Sequence, residues 1–549
     1  MRLIEPSTDN FDTLYRNFRW DVPENLNIAE VVCDRHSDRS NKVALHYEAK
    51  DGTAATYTFG QIKRLSNQLA NALDGLGLTA GARVAIVLPQ CPETALTHLA
   101  CYKKALVALP LSILFGTDAL EYRLRDSGAS VVITNAQRID TIQQLQDQLP
   151  DLRHVIGCNC GHPQMEFWQL MEKASDHLHG VATKADDPAL LIYTSGTTGP
   201  PKGALIAHRA IIGNLPGFEL SHDFFPQPDD LFWTPADWAW TGGLWDALLP
   251  AWYYGKPVLA YNGGKFDPEA SARLIGKYRV RNAFIPPTAL KMMRRIPDLK
   301  ARYKLDLRSI MSAGESVGEE LIHWGRDVLG VTINEMWGQT EFNYLVGNCA
   351  AAMDVRPGSM GKPYPGHVVD IIDDAGEVLP AGETGEFAAR RGDPVMFLGY
   401  WNNPEATRAK FSGKWFRTGD VGYRDEEGYL WFVGRKDDVI SSAGYRIGPG
   451  EIEDCLLKHP AVLAAAVIGK PDELRGSIVK AFIVLSPGFK PDTQLRDAIQ
   501  NEVRQRLAAY EYPREIEFID ELPLTTTGKI RRVALRRMEL ERAGKKGVI

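Results

Sequence analysis

A chain of 549 residues is too long for one ordinary hydrophobic core, so two or more domains are expected. It carries 63 Lys and Arg against 69 Asp and Glu, a formal net charge of −6, and 44% hydrophobic residues. That is the balance of a soluble globular protein; it excludes a nucleic-acid coat or a polybasic membrane anchor and leaves room for a local basic patch.

Residues 1–19 mix acids and bases without an apolar core segment, so no secretory signal is read. No apolar stretch approaches the roughly 18 residues of a membrane span. Ile62, Leu65, Leu69 and Leu73 recur on one helical face. Residues 83–88 read as a buried strand stopped by Pro89, residues 93–107 as a helix, and residues 131–134 as a strand. Cys158-Asn-Cys160-Gly-His162 invites a metal reading, but the spacing fits no common zinc pattern and no second Cys/His pair stands nearby. The seven cysteines are scattered, which suggests a reducing, cytoplasmic compartment. Strand-like runs at 190–193, 257–260, 283–285 and 309–311 continue the alternation with helical segments. Such alternation implies parallel sheets covered on both faces.

From about Ser359 the texture changes. Gly-rich turns separate short strands at 368–372, 385–387 and 428–433, which reads as a small β-rich subdomain. Beyond Gly434 a helix carries Ile452, Cys455 and Leu456 inward, strands follow near 464–468 and 478–485, and Leu495, Ile499, Val503 and Leu507 step along another helix. This is a compact α+β module of ~110 residues, large enough to fold alone. Its boundary is expected within the polar segment 434–438, where the adjacent charges Asp437 and Asp438 favour an extended, solvated linker.

The stretch with the plainest chemistry is Thr194-Ser-Gly-Thr-Thr-Gly-Pro-Pro-Lys-Gly203. A strand feeding a loop of Gly, Ser and Thr exposes N–H groups and hydroxyls together, a nest for oxyanions, and Lys202 adds a point charge. It is not the Walker pattern, because Pro201 precedes the lysine and Gly203 follows it. The segment resembles the signature of the adenylate-forming superfamily, which includes acyl-CoA synthetases, peptide-synthetase adenylation domains and beetle luciferases. Further motifs of that superfamily follow in order: Trp337-Gly-Gln-Thr-Glu341, Trp415-Phe-Arg-Thr-Gly-Asp420, the segment 434–448, and Pro523-Leu-Thr-Thr-Thr-Gly-Lys-Ile-Arg531. The likeness is greatest to the medium-chain and acetate-like branch of the acyl-CoA synthetases. It implies an α/β fold: a large N-terminal domain, residues 1–434, of two doubly wound sheets plus the β-rich subdomain at about 359–434. A smaller, mobile α+β C-terminal domain, residues 435–549, would follow, with its hinge at Asp437.

The resemblance also implies roles. ATP and AMP would be held by Thr194, Ser195, Gly196, Thr197, Thr198, Gly199 and Lys202, by Gly314, Glu315 and Ser316, and by Glu335, Met336, Trp337, Gly338, Gln339 and Thr340. Relatives often have Pro where this chain has Ser316, so a modest loop change is expected there. Asp420 would accept from the ribose hydroxyls, with Arg435 donating to the same sugar. Glu341 would bind Mg²⁺ through hard carboxylate oxygen. Lys202, Thr340, Glu341 and Lys529 make the catalytic set, with Lys529 joining carboxylate and α-phosphate. Ala443, Gly444, Tyr445, Arg446 and Arg475 would receive CoA.

The acid is the least legible part. Acetate-specific relatives place Trp directly before Gln-Thr-Glu, where this chain has Gly338. An acid larger than acetate is therefore expected, with Trp240 and Gly338 lining its pocket, and Gly338→Trp is expected to shift preference toward acetate or propionate. The leading reading is an acid–CoA ligase yielding AMP and pyrophosphate. A stand-alone enzyme loading a carrier-protein thiol, a luciferase-like oxygenase and a nucleotide-gated acyl sensor are the alternatives. A homodimer and acylation of Lys529 are left open.

Overall fold

A computed structural model of the chain describes residues 2–6, 10–38, 41–161, 165–194, 200–442, 445–472, 476–507, 511–525 and 529–542. Contacts divide the chain into two units. One comprises Met1–Pro357, Gly361–Val368 and Arg390–Phe411; the other comprises Gly358–Met360, Val369–Ala389 and Ser412–Ile549.

In the first unit, the helix Phe59–Gly75 starts at a capping box in which Thr58 and Gln61 satisfy each other's backbone N–H groups. Ile62, Leu69 and Leu73 are buried on its inner face, while Leu65 is half-buried at the edge of the stripe. The helix Pro92–Lys103 is buried along its whole length. It ends sooner than the expected 93–107, because Ala105 turns the chain at a φ of 52° and Val107–Pro110 then enters a sheet.

That sheet runs in the order Met165–Glu166, His154–Cys158, Val131–Asn135, Arg83–Val87, Val107–Pro110, Pro188–Thr194, Lys202–Ala207 and Gly399–Tyr400. Its pairs are parallel up to Pro188–Thr194, and the last two pairings are antiparallel. The second sheet runs Val346–Gly347, Ile333–Trp337, Ser309–Ser312, Asn282–Phe284, Phe232–Trp233, Val258–Asn262, Val43–Ala49 and Ala54–Thr58. Its pairings to Val346–Gly347 and to Ala54–Thr58 are antiparallel and those between them are parallel, and Val346–Gly347 pairs antiparallel in turn with Lys362 and Pro363. Near-continuous apolar strands such as Arg83–Val87 follow from burial on both faces. The fold is α/β, with doubly wound sheets in a large N-terminal part.

In the second unit, Val369–Ile372, Gly385–Arg390, Trp415–Arg424 and Leu430–Arg435 form a sheet of antiparallel character. The C-terminal module adds the long ribbon Val462–Asp472 and Gly476–Leu485, with Glu515–Phe518 parallel to its second strand. Ile452, Leu456, Ile499 and Val503 are buried in its core. Lys480, 5% exposed, is neutralised by Glu539 at 2.7 Å and Glu517 at 2.9 Å, which ties the helix Arg532–Arg542 to the sheet. A buried lysine without such partners would be strongly destabilising.

Residues 435–439 are not extended. Asp438 and Val439 both donate their N–H groups to the Arg435 carbonyl at 2.8 Å, closing a tight turn. Asp438 is 8% exposed and accepts from Arg536 at 2.6 Å, while Asp437 beside it is exposed. The expected solvated pair of charges is thus split into one anchored and one surface carboxylate. Among the described residues no helix is long and apolar enough to cross a membrane.

Candidate active site

In the first unit the two strands that flank residues 195–199 form an antiparallel hairpin. Pro188–Thr194 and Lys202–Ala207 pair antiparallel, with Thr194 opposite Lys202 and Tyr193 opposite Gly203. Ser195, Gly196, Thr197, Thr198 and Gly199 lie outside the described residues. The hairpin's base is held firmly. Tyr122 donates to the Pro201 carbonyl at 3.0 Å, and Trp401 N–H donates to the Gly203 carbonyl at 2.7 Å. A side chain at Gly203 would place Cβ 2.8 Å from Leu191 and 3.2 Å from Tyr193, so packing beneath the loop requires glycine.

Gly399–Tyr400 pairs with the second hairpin strand, putting Tyr400 opposite Ala204. From there the Tyr400 hydroxyl donates to Glu341 Oε1, and Lys202 Nζ stands 5.5 Å from the Tyr400 ring centroid. Glu341 is 8% exposed, and its backbone carbonyl accepts from Phe397 at 2.8 Å. Lys202, Tyr400 and Glu341 are therefore one constellation: a half-buried cation, an aromatic hydroxyl and a buried carboxylate. A single buried carboxylate suits Mg²⁺, which keeps water and substrate phosphates as its other ligands and needs no all-protein cage. Tyr400 was missed by sequence reasoning; Asn402-Asn403-Pro404 marks a turn but says nothing of the tyrosine's partner.

The strand Ile333–Trp337 delivers the next residues. Glu335 is buried, accepts from Val317 N–H at 3.3 Å, and receives Asn348 N–H on its carbonyl at 3.1 Å. Trp337 packs against Phe342 at 5.7 Å between ring centroids, flanking the turn that holds Gly338, Gln339 and Thr340. Met336 is buried; Trp337, Gln339 and Thr340 are half-buried. Gly314, Glu315 and Ser316 follow the neighbouring strand Ser309–Ser312, and Thr288 donates to the Glu315 carboxylate at 3.1 Å. Gly314 and Ser316 are exposed.

Gly338 is more than an absent side chain. A Cβ there would stand 1.4 Å from the Asn343 carbonyl oxygen. The notion of Gly338→Trp as a simple pocket plug is thereby corrected, because the first carbon of any side chain already meets backbone. Gly338→Ala alone is expected to lower stability by about 1–3 kcal/mol or more. Thermal melts of parent and variant check this, and coincident midpoints would rule out the close approach.

Trp233, Trp238 and Trp245 are core residues, 0–2% exposed. Trp240 differs: it is half-buried and meets Phe115 edge-on at 5.7 Å. Phe115 in turn carries the Arg123 guanidinium 4.1 Å from its centroid.

The second unit supplies a separate acid–base pair. Asp420 and Arg435 face each other across antiparallel strands, and Arg435 Nε lies 3.0 Å from Asp420 Oδ1. Asp420 is 4% exposed, and its N–H donates to Thr418 Oγ1 at 3.0 Å. Glu386 braces the motif from behind, accepting from Gly419 N–H at 2.9 Å and from Arg417 Nε at 3.0 Å. Glu386 too lay outside the sequence motifs. Tyr445 and Arg446 open the strand Tyr445–Ile447, which pairs with Ile440–Ser442; Ala443, Gly444 and Arg475 lie outside the described residues. Lys529 is exposed, its N–H donating to Thr525 Oγ1 at 3.0 Å. Cys158 is buried, which pushes its thiol well up; His162 lies outside the described residues.

Residues 33–401 match the family described as AMP-binding enzyme, and residues 451–529 match the AMP-binding enzyme C-terminal domain. The chain is 39% identical to the acetyl-coenzyme A synthetase of Bacillus subtilis (strain 168), over 97% of this chain and 95% of that protein. It is 34% identical to the mitochondrial acyl-coenzyme A synthetase ACSM3 of Rattus norvegicus, over 98% and 94%. The crystal structure of the anthranilate CoA ligase AuaEII with anthranoyl-AMP superposes with a TM-score of 0.87 at 31% identity, covering 95% of this chain and 99% of that one.

Proposed function

The chain belongs to the AMP-binding enzymes and is an AMP-forming acyl-CoA synthetase, and from that premise we propose that its acid is larger than acetate, in the medium-chain or a similarly bulky class. In the first half-reaction a carboxylate oxygen bonds to the α-phosphorus of ATP and the bond from that phosphorus to the β-bridging oxygen breaks, releasing pyrophosphate. In the second, the CoA sulfur bonds to the acyl carbon and AMP leaves. Charge develops on phosphoryl oxygens, so the protein's work is positioning and electrostatic stabilisation.

Lys202 offers a cation to the phosphates and Thr340 a hydroxyl. Glu341 would hold Mg²⁺, which would neutralise phosphate charge when bound. Asp420 accepts from the ribose hydroxyls with Arg435 oriented by the same carboxylate, and Glu315, Glu335 and Trp337 contribute to the adenine site. Lys529 supplies the cation of the adenylation step, Asp437 is the hinge for thioester formation, and Tyr445 and Arg446 receive CoA.

The observation behind the larger acid is Gly338. This chain has Gly where acetate-specific relatives place Trp, so no indole projects from this turn, and the Asn343 carbonyl occupies the Cβ direction at Gly338. The name of the Bacillus subtilis relative favours acetate instead. Pyrophosphate release over acids from acetate to octanoate and benzoate, with and without CoA, separates the readings. Highest kcat/KM for an acid of four carbons or more is expected. A maximum at acetate would overturn the pocket assignment, and hydroxylamine-trapped adenylate with no CoA use would favour carrier-thiol loading.

A further inference from the structure

Asp246 belongs to no motif, yet it is a carboxylate 3% exposed. Burial pushes its pKa up to about 7, and the Asn343 amide that donates to it pulls the other way. An apolar side chain would fill this place without the desolvation penalty, so a buried acid facing an amide invites a specific reason.

The hydrogen bonds supply one. The Asn343 amide donates to two acceptors, Asn214 Oδ1 at 2.8 Å and Asp246 Oδ1. The Asn214 amide donates to the Trp245 carbonyl at 2.6 Å. Each residue sits on a different piece of the first unit. Asn214 lies in the helix Ala210–Ser221, and Asp246 in the helical turn Leu244–Leu248 that continues the run begun just after Trp240. Asn343 closes the turn that starts at Gly338, with its carbonyl against the glycine. One polar knot, buried at Asn214 and Asp246 and half-buried at Asn343, thus ties together the Trp240 run and the Gly338 turn.

We propose that Asn214, Asp246 and Asn343 form a spacer that sets the gap between the Trp240 segment and the Gly338 turn, making Asp246 and Asn343 positioning residues for acyl-chain selectivity. The proposal rests on the reading of Trp240 and Gly338 as pocket walls. A buried polar link holds geometry more sharply than apolar contact, because any displacement strands a desolvated polar group.

Asp246→Ala, Asn343→Ala and the double variant, each in the full chain, provide the test. Pyrophosphate exchange is measured for straight-chain acids from acetate to octanoate, with the KM for ATP in parallel. Each single variant is expected to change the ratio of kcat/KM between the best acid and acetate by about 10-fold. The double variant should match a single one, since both remove the same link. The KM for ATP should stay within about threefold, and Asp246→Asn, which keeps shape and an acceptor oxygen, should retain the parental profile. Unchanged selectivity in folded, active single variants overturns the spacer, as do effects that multiply in the double. If the alanine variants do not fold, Asp246→Leu takes their place, a substitution of similar volume that removes the acceptor facing the Asn343 amide. It should change the selectivity ratio as the alanine variants would, and a folded, active Asp246→Leu enzyme with the parental profile overturns the proposal. A parental chain that exchanges pyrophosphate with no acid would overturn the functional reading as well, a result distinct from unchanged selectivity in an active enzyme.

Discussion

Lys529→Ala is expected to slow acyl-adenylate formation by about 30- to 1,000-fold, the effect of removing one charge-assisted contact worth about 2–4 kcal/mol in a dry site. Acyl transfer from preformed acyl-AMP to CoA should stay within about threefold, because that step has no carboxylate to join to a phosphate. The local backbone makes the experiment clean. Lys529 lies on a turn closed by its own carbonyl, which accepts from Thr525 N–H at 2.7 Å, and by Arg531 N–H donating to the Pro523 carbonyl at 2.8 Å. Leu524 and Ile530 bridge across the same turn. Deleting the exposed ammonium leaves these backbone bonds in place, and a thermal melt in parallel separates lost fold from lost chemistry. Single-turnover assays of the two half-reactions provide the check. Equal losses in both would mean that Lys529 supports the protein rather than the adenylation step.

The contrast between motif residues and their supports shows what a sequence can carry. Strands such as Val131–Asn135 and Pro188–Thr194 were readable because burial on both faces demands continuous apolar runs. The end of the helix Pro92–Lys103 was not, because the turn at Ala105 uses neither Gly nor Pro and the apolar residues of Val107–Pro110 extend the helical pattern. Residues 437–438 read as solvated because two adjacent carboxylates repel. Asp438 instead finds Arg536, a partner 98 residues away that local reasoning cannot supply. The same distance hides part of the site. Glu341 and Asp420 stand in contiguous motifs, where local chain geometry sets the spacing. Tyr400 reaches Glu341 from 59 residues away, and Asn343 reaches Asp246 from 97, through strand register and helix packing. Glu386 braces Gly419 for the same reason, since it comes from a different strand of the sheet.

Glu341→Gln carries the other large expected effect, a loss of about 100- to 1,000-fold in adenylation rate. The amide keeps the shape of the side chain and one acceptor oxygen, so the Tyr400 hydroxyl retains its partner and the fold is spared. What is lost is the negative charge, and Mg²⁺ discriminates strongly between a carboxylate and a neutral amide oxygen. The concentration of Mg²⁺ giving half-maximal rate should therefore rise in the variant, and excess Mg²⁺ should restore part of the activity. Tyr400→Phe separates orientation from charge. It removes the hydroxyl that donates to Glu341 Oε1 but leaves the ring beside Lys202, 5.5 Å away. Losing one neutral donor to a carboxylate is worth about 1.5–3 kcal/mol at most, so a fall of roughly 10- to 100-fold is expected, smaller than that of Glu341→Gln. The two substitutions share one link, and the double variant should be no worse than Glu341→Gln by more than about threefold. Isothermal titration of Mg²⁺ into the ATP-bound enzyme gives a second readout, weakened in Glu341→Gln and nearly parental in Tyr400→Phe. If Glu341→Gln left both the rate and the Mg²⁺ dependence intact, the buried carboxylate would be only a prop for Tyr400, and the order of the two effects would be reversed.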